Sequence, residues 1–252
     1  MEIFTDEKFI IPFLSALFAT LGASITILMI QFISRYIKDR KKKIYATSYI
    51  ADVCFRVLTS NLILKKHTII PHIEAIQRIL KGDEELLETM FLADEFDVLT
   101  DKSFDFIFLS DEYKILLGCD DISLIQSYES LIYIIKNDKT RTNFNEFVKH
   151  NLKSKHFFTS LAPEKQSNIL NIYWDYLDKI KHEEDRSISF ILEILIPSIK
   201  KYTDSKQFCC FSKKSITATR KTIDITLSQF NNFLPEKGYI KKSIHDGIQK
   251  IL

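Results

Sequence analysis

The chain has 252 residues, with 35 Lys and Arg against 33 Asp and Glu and a formal net charge of +2, a balance that supplies no global field to draw it onto nucleic acid. Five glycines and five prolines are too few for a turn-rich β fold and suit long helices. The cysteines, Cys54, Cys119, Cys209 and Cys210, have no CxxC pair and no repeating spacing, so neither a zinc ribbon nor a disulfide framework is suggested, and free thiols in a reducing compartment are the simplest reading.

Residues 1–8 form a short acidic segment, with Glu2, Asp6 and Glu7 against Lys8, expected outside the cytoplasm. From Phe9 to Ile33 no residue is charged, and the run exceeds the roughly 20 apolar residues that cross a hydrocarbon core of about 30 Å. This predicts a transmembrane helix over 9–34. Arg35, Lys38, Arg40, Lys41, Lys42 and Lys43 crowd its far end, opposed only by Asp39. A cleaved signal peptide would carry its basic residues first; the observed order predicts an uncleaved signal anchor. By the positive-inside rule the N-terminus lies outside and the bulk of the chain lies on the cytoplasmic face of a cell inner membrane, as a single-pass protein. The same basic cluster is a candidate contact for anionic lipid, at roughly 1 kcal/mol per residue near the surface.

Within the span, Ser15, Ala19, Gly22, Ala23 and Thr26 recur in steps of three and four and share one helix face. Such small-xxx-small spacing lets membrane helices approach closely, so a homo-oligomer formed through this face is an expectation.

No Gly or Pro interrupts the chain from Arg35 to Thr68, and Ile44, Tyr45, Tyr49, Ile50, Val53, Val57, Leu58 and Leu62 keep helical spacing, which extends the anchor into a helical stalk. A second helix is expected over Ile70–Leu80, with Pro71 near its start and Gly82 just past its end. Helices over Glu84–Leu99 and Ser103–Leu117 follow, the second including Phe104, Phe106, Ile107 and Phe108. Asp120 or Asp121 is positioned to cap a helix through Ile135 whose apolar face holds Ile122, Ile125, Tyr128, Leu131, Ile132 and Ile135.

The polar stretch Asn137–Asn143 reads as a loop dividing the helical part into halves, 35–137 and 138–252. A short helix over Phe144–Leu152 comes next. Pro163 then opens a helix to Lys181 with Ile169, Ile172, Tyr173, Tyr176, Leu177 and Ile180 inward. Ile188–Ile199 is apolar nearly all round and too short to span a bilayer, so it reads as a core helix. Thr203–Lys214 reads as a loop, followed by helices over Ser215–Phe233 and Tyr239–Leu252, the last docking through Ile240, Ile244, Ile248 and Ile251.

No GxGxxG, Walker or GxSxG motif is present. His67 and His72 are misplaced for a shared metal on one helix face, and His182-Glu183-Glu184-Asp185 lacks the second histidine of a zinc protease and reads as a solvated charge run. Cys209 and Cys210, between Lys206 and Lys213, read as ordinary thiols, and Lys213, Lys214, Arg220 and Lys221 as a solvated helix face. No catalytic residue, cofactor or metal is assigned.

The fold class that follows is all-α: one transmembrane helix and a cytoplasmic multi-helix bundle. The expected function is protein–protein assembly at the membrane, as a scaffold, sensor or effector subunit of a bacterial stress or defence response, with membrane lipid and a protein of unknown identity as partners. An alternative is a membrane-disrupting effector that oligomerises through its membrane helix. A third reading, an enzyme with an unfamiliar helical active site, needs buried titratable groups that converge.

Overall fold

The computed structural model describes residues 7–93, 99, 110–136, 139–152, 154–205 and 221–240. Among these every regular element is helical. Two compact units are distinguished, 1–46 and 47–252.

The first unit is built from the N-terminal part of α1 (Glu7–Leu64). Residues 10–33 rise about 36 Å at 1.5 Å per residue, enough to cross a bilayer. Their large side chains are open to the surroundings, from Ile11 at 66% through Phe18 at 68% to Phe32 at 74% exposure.

In the second unit, the part of α1 after Thr47 buries Ile50, Val53, Cys54, Val57, Leu58 and Leu62, the three-and-four spacing of one helix face. Helices α2 (Ile70–Leu80), α3 (Glu84–Leu92), α4 (Asp111–Gly118), α5 (Ile122–Lys136), α6 (Thr140–Asn151), α7 (Lys155–Thr159), α8 (Pro163–Phe190) and α9 (Ile196–Ser205) follow, and residues 221–229 are also helical. The longest of these, α8, is the axis against which α2, α5 and α6 pack. Phe144 of α6 meets Tyr173 of α8 with ring centroids 5.1 Å apart, and His72 of α2 shares a 3.0 Å hydrogen bond with the Tyr173 hydroxyl. Around them Ile69, Ile76, Val148, Leu170, Leu177 and Ile180 form a closed apolar core.

Helix ends follow local chemistry. Asp83 caps α3 by accepting from the Leu86 amide at 3.0 Å, and Asp121 caps α5 by accepting from Ser123 at 3.0 Å. Gly82, at φ +102°, closes α2: its amide donates to Ile79 O and the Asp83 amide to Arg78 O, the paired bonds of a left-handed C-terminal cap.

Several boundaries differ from the sequence reading. Pro71 does not break the helix. α1 passes through a π-turn, Lys65–Ile69, into α2, and the Ile70 amide donates five residues back to Lys65 O. The same device recurs between α8 and α9, where the π-turn Ile191–Leu195 precedes Pro197 and the Ile196 amide donates to Ile191 O. A proline ring in a regular helix collides with the carbonyl four residues earlier; the wider π-turn makes room for it. Consequently Pro163–Lys181 and Ile188–Ile199 are not separate helices but one run.

Ile122 is 64% exposed, because at 100° per residue it falls outside the stripe holding Leu124, Ile125, Tyr128, Leu131, Ile132 and Ile135. Thr140 to Asn143, expected in a loop, already belong to α6. α3 ends at Leu92, short of the expected Leu99. Residues 103–109 of the expected Phe-rich helix, 206–214 of the expected loop, 215–220 and 241–252, with Cys209, Cys210, Lys213, Lys214, Arg220, Ile244, Ile248 and Ile251, lie outside the described residues.

Candidate functional site

Two regions stand out, one in each unit. In the first, Ser15, Ala19, Gly22, Ala23 and Thr26 are all on α1 and all exposed. A β-carbon built on Gly22 meets no atom within 4 Å. Three hydroxyls of this stretch bond to their own helix: Thr26 Oγ1 donates to Gly22 O at 2.8 Å, Ser24 Oγ to Thr20 O at 2.8 Å and Thr20 Oγ1 to Ala16 O at 3.0 Å. An unsatisfied hydroxyl in hydrocarbon costs several kcal/mol, on the order of 4–8 on an alkane scale, so this back-bonding lets the helix face an apolar medium without a partner. Arg35, Lys38 and Lys41 are exposed, and Arg40, Lys42 and Lys43 half-buried, on the same helix.

The second region was missed in the sequence. Glu184 and Asp185, taken there for part of a solvated run, are 0% and 5% exposed. They are adjacent on α8, so their side chains leave the helix about 100° apart and reach different neighbours. Glu184 accepts from Arg141 of α6 at 2.7 Å, while Asp185 pairs with Lys65 at the start of the first π-turn. Lys65 Nζ also donates to the Phe233 carbonyl at 2.7 Å. Burial holds the Asp185 carboxyl above its ordinary 3.8, and the Lys65 ammonium opposes that rise. His182 and Glu183 remain exposed and half-buried, so the run is divided between solvent and core.

Extending the inward period of α8 would have flagged Glu184. Tyr173, Leu177, Ile180, Glu184, Ser187 and Ile191 continue in steps of three and four, and all are buried. The charged composition of the run masked that register.

Residues 230–240 lie across this region. Lys66 sits 5.0 Å from the Phe230 ring centroid and 5.8 Å from that of Phe233. The Gly238 amide donates to Glu193 Oε1 at 2.9 Å, and the Tyr239 hydroxyl lies 2.8 Å from His182 Nδ1. Burial first, then the carboxylates of Asp185, Glu183 and Asp178, push the Tyr239 phenol up to about 12.

Among the described residues no group of three or more His, Cys, Asp or Glu is arranged to hold a metal ion. The class is defined by the fold: among the described residues the protein is all-helical, with one helix long and apolar enough to span a membrane. No protein-family model, curated protein or solved structure matches it.

Proposed function

We propose that this chain is a single-pass membrane protein whose helical unit works on the cytoplasmic face of a cell inner membrane through protein–protein assembly, as a scaffold, sensor or effector subunit. The observation that carries the reading is the stretch 11–33 of α1, uncharged and exposed throughout, with the hydroxyls of Thr20, Ser24 and Thr26 bonded to their own helix. In water such a surface would aggregate; a bilayer covers it. The basic residues from Arg35 to Lys43 support the orientation, since cytoplasmic flanks carry the excess of Lys and Arg, and they offer ammonium and guanidinium groups to anionic headgroups. The face of Ser15, Ala19, Gly22, Ala23 and Thr26 supports association between copies. Because its threonine is already bonded within the helix, close packing rather than hydrogen bonding would drive that association.

The test is membrane extraction followed by crosslinking of the full chain. Retention in the bilayer at alkaline pH is expected, with Cys119 labelled by an impermeant maleimide only from the cytoplasmic side; release into the soluble fraction would overturn the anchor. Crosslinked copies, or a defined partner, that disappear in Ala19→Leu/Ala23→Leu support assembly through the small-residue face. Monomers alone in both chains would remove it.

A further inference from the structure

The two π-turns, Lys65–Ile69 and Ile191–Leu195, both send charged side chains to the same segment. Lys65 holds the Phe233 carbonyl, and Glu193 holds the Gly238 amide. A π-turn carries an extra residue and so re-aims its side chains relative to a regular helix, which places these two groups toward one covering segment. Gly238 has φ +81°, a conformation that a residue with a β-carbon rarely adopts, so the turn presenting its amide depends on glycine.

The segment is attached in an unusual way. Not one residue from Phe230 to Ile240 is buried, yet the Lys65 and Asp185 side chains beneath are only 5% and 8% exposed. Its attachments include the two hydrogen bonds above, the Tyr239 contact with His182 and the Lys66 contacts with Phe230 and Phe233. A piece of chain held by polar and edge contacts, with no side chain inserted in the core, opens at a far lower free energy than the helices it covers.

We propose that residues 230–240 form a releasable strap, anchored by the two π-turns, that closes over the Lys65–Asp185 pair. Release uncovers the buried Lys65–Asp185 pair, which joins the half-buried Lys66 and Glu193 and the exposed His182 in one patch of mixed charge. The helices of the unit keep their packing when it lifts, because nothing apolar leaves the core. This device is independent of the membrane reading, since every group in it belongs to residues 47–252.

The test is pulsed acylation of lysines in the full chain in detergent micelles, read by mass spectrometry, with the Cys54 thiol as the monitor of unfolding. Cys54 is fully buried in the same unit. Glu193→Ala/Tyr239→Phe removes two strap contacts and leaves Lys65 and Asp185 in place. Lys65 acylation on the order of tenfold faster in this variant, with Cys54 still unreactive in both chains, is the expected result. Equal Lys65 rates in the two chains would overturn the strap. So would acylation of Lys65 only in step with Cys54 labelling, which would make the segment part of the globally cooperative core.

Discussion

Arg141 donates to Glu184 Oε1 at 2.7 Å, joining α6 to α8 through an ion pair whose side chains are 7% and 0% exposed. Removing one member leaves the other charge in the core. Arg141→Met is therefore expected to cost about 3–5 kcal/mol, whereas Arg141→Met/Glu184→Leu, which removes both charges, should recover most of that loss. Denaturant unfolding of the three chains in the same detergent checks this. A double variant no more stable than the single one would mean that the pair is worth more than an apolar contact of its size.

The Asp185 carboxyl is held above its ordinary value of 3.8 by burial. A raised folded-state value means that the folded chain binds the proton more tightly. The carboxyl's contribution to stability is thus fully present below 3.8 and is lost as pH rises through the folded value. Asp185→Asn cannot titrate, so its stability relative to the native chain should rise across that window and then level off. Asp121 behaves oppositely: the Ser123 hydroxyl and amides around the cap hold its carboxyl low, and its contribution is lost on acidification. Unfolding midpoints of native, Asp185→Asn and Asp121→Asn chains across the acid range separate the two signs.

Cys54 is fully buried and its thiol is pushed far above the usual range by desolvation, while Cys119 is exposed. With Cys209 and Cys210 both replaced by Ser, a maleimide should label Cys119 promptly in the folded chain and Cys54 only on unfolding. Mass spectrometry of labelled peptides reads both sites in one experiment.

Each π-turn ends two residues before a proline, Pro71 or Pro197. Restoring an ordinary residue removes the ring that the wide turn accommodates. Pro197→Ala is expected to let 191–195 tighten toward α-helix, swinging Glu193 away from Gly238, which hydrogen exchange reads as faster loss of protection at the Gly238 amide. Unchanged protection would show that surrounding packing alone keeps the turn wide.

Leu177 lies fully buried on α8 between Tyr173 and Ile180. Leu177→Ala should cost about 2–5 kcal/mol through lost burial and the cavity left behind, measured by denaturant unfolding. Ile122→Ala, on the exposed first residue of α5, should stay within about 0.5 kcal/mol.

What the sequence by itself determined are properties that depend on neighbours along the chain. The uncharged run from Phe9 to Ile33 needs only length and composition to be a helix able to span a bilayer. The left-handed cap at Gly82 and the cap at Asp121 need only local residues, and both stand where the local chemistry puts them. The buried faces of α1 and α8 were legible because helical period survives in the identities of Ile50, Val57, Leu62, Leu177 and Ile180. Tertiary structure decided which polar residues leave water. Glu184 and Asp185 carry the same side-chain chemistry as exposed carboxylates, and the arrival of Arg141 from α6 and Lys65 from the π-turn, both distant in sequence, offsets the cost of their burial. The two π-turns are decided at the same level: a proline permits a break, a kink or a wide turn, and continuous packing of the helices on both sides selects the wide turn.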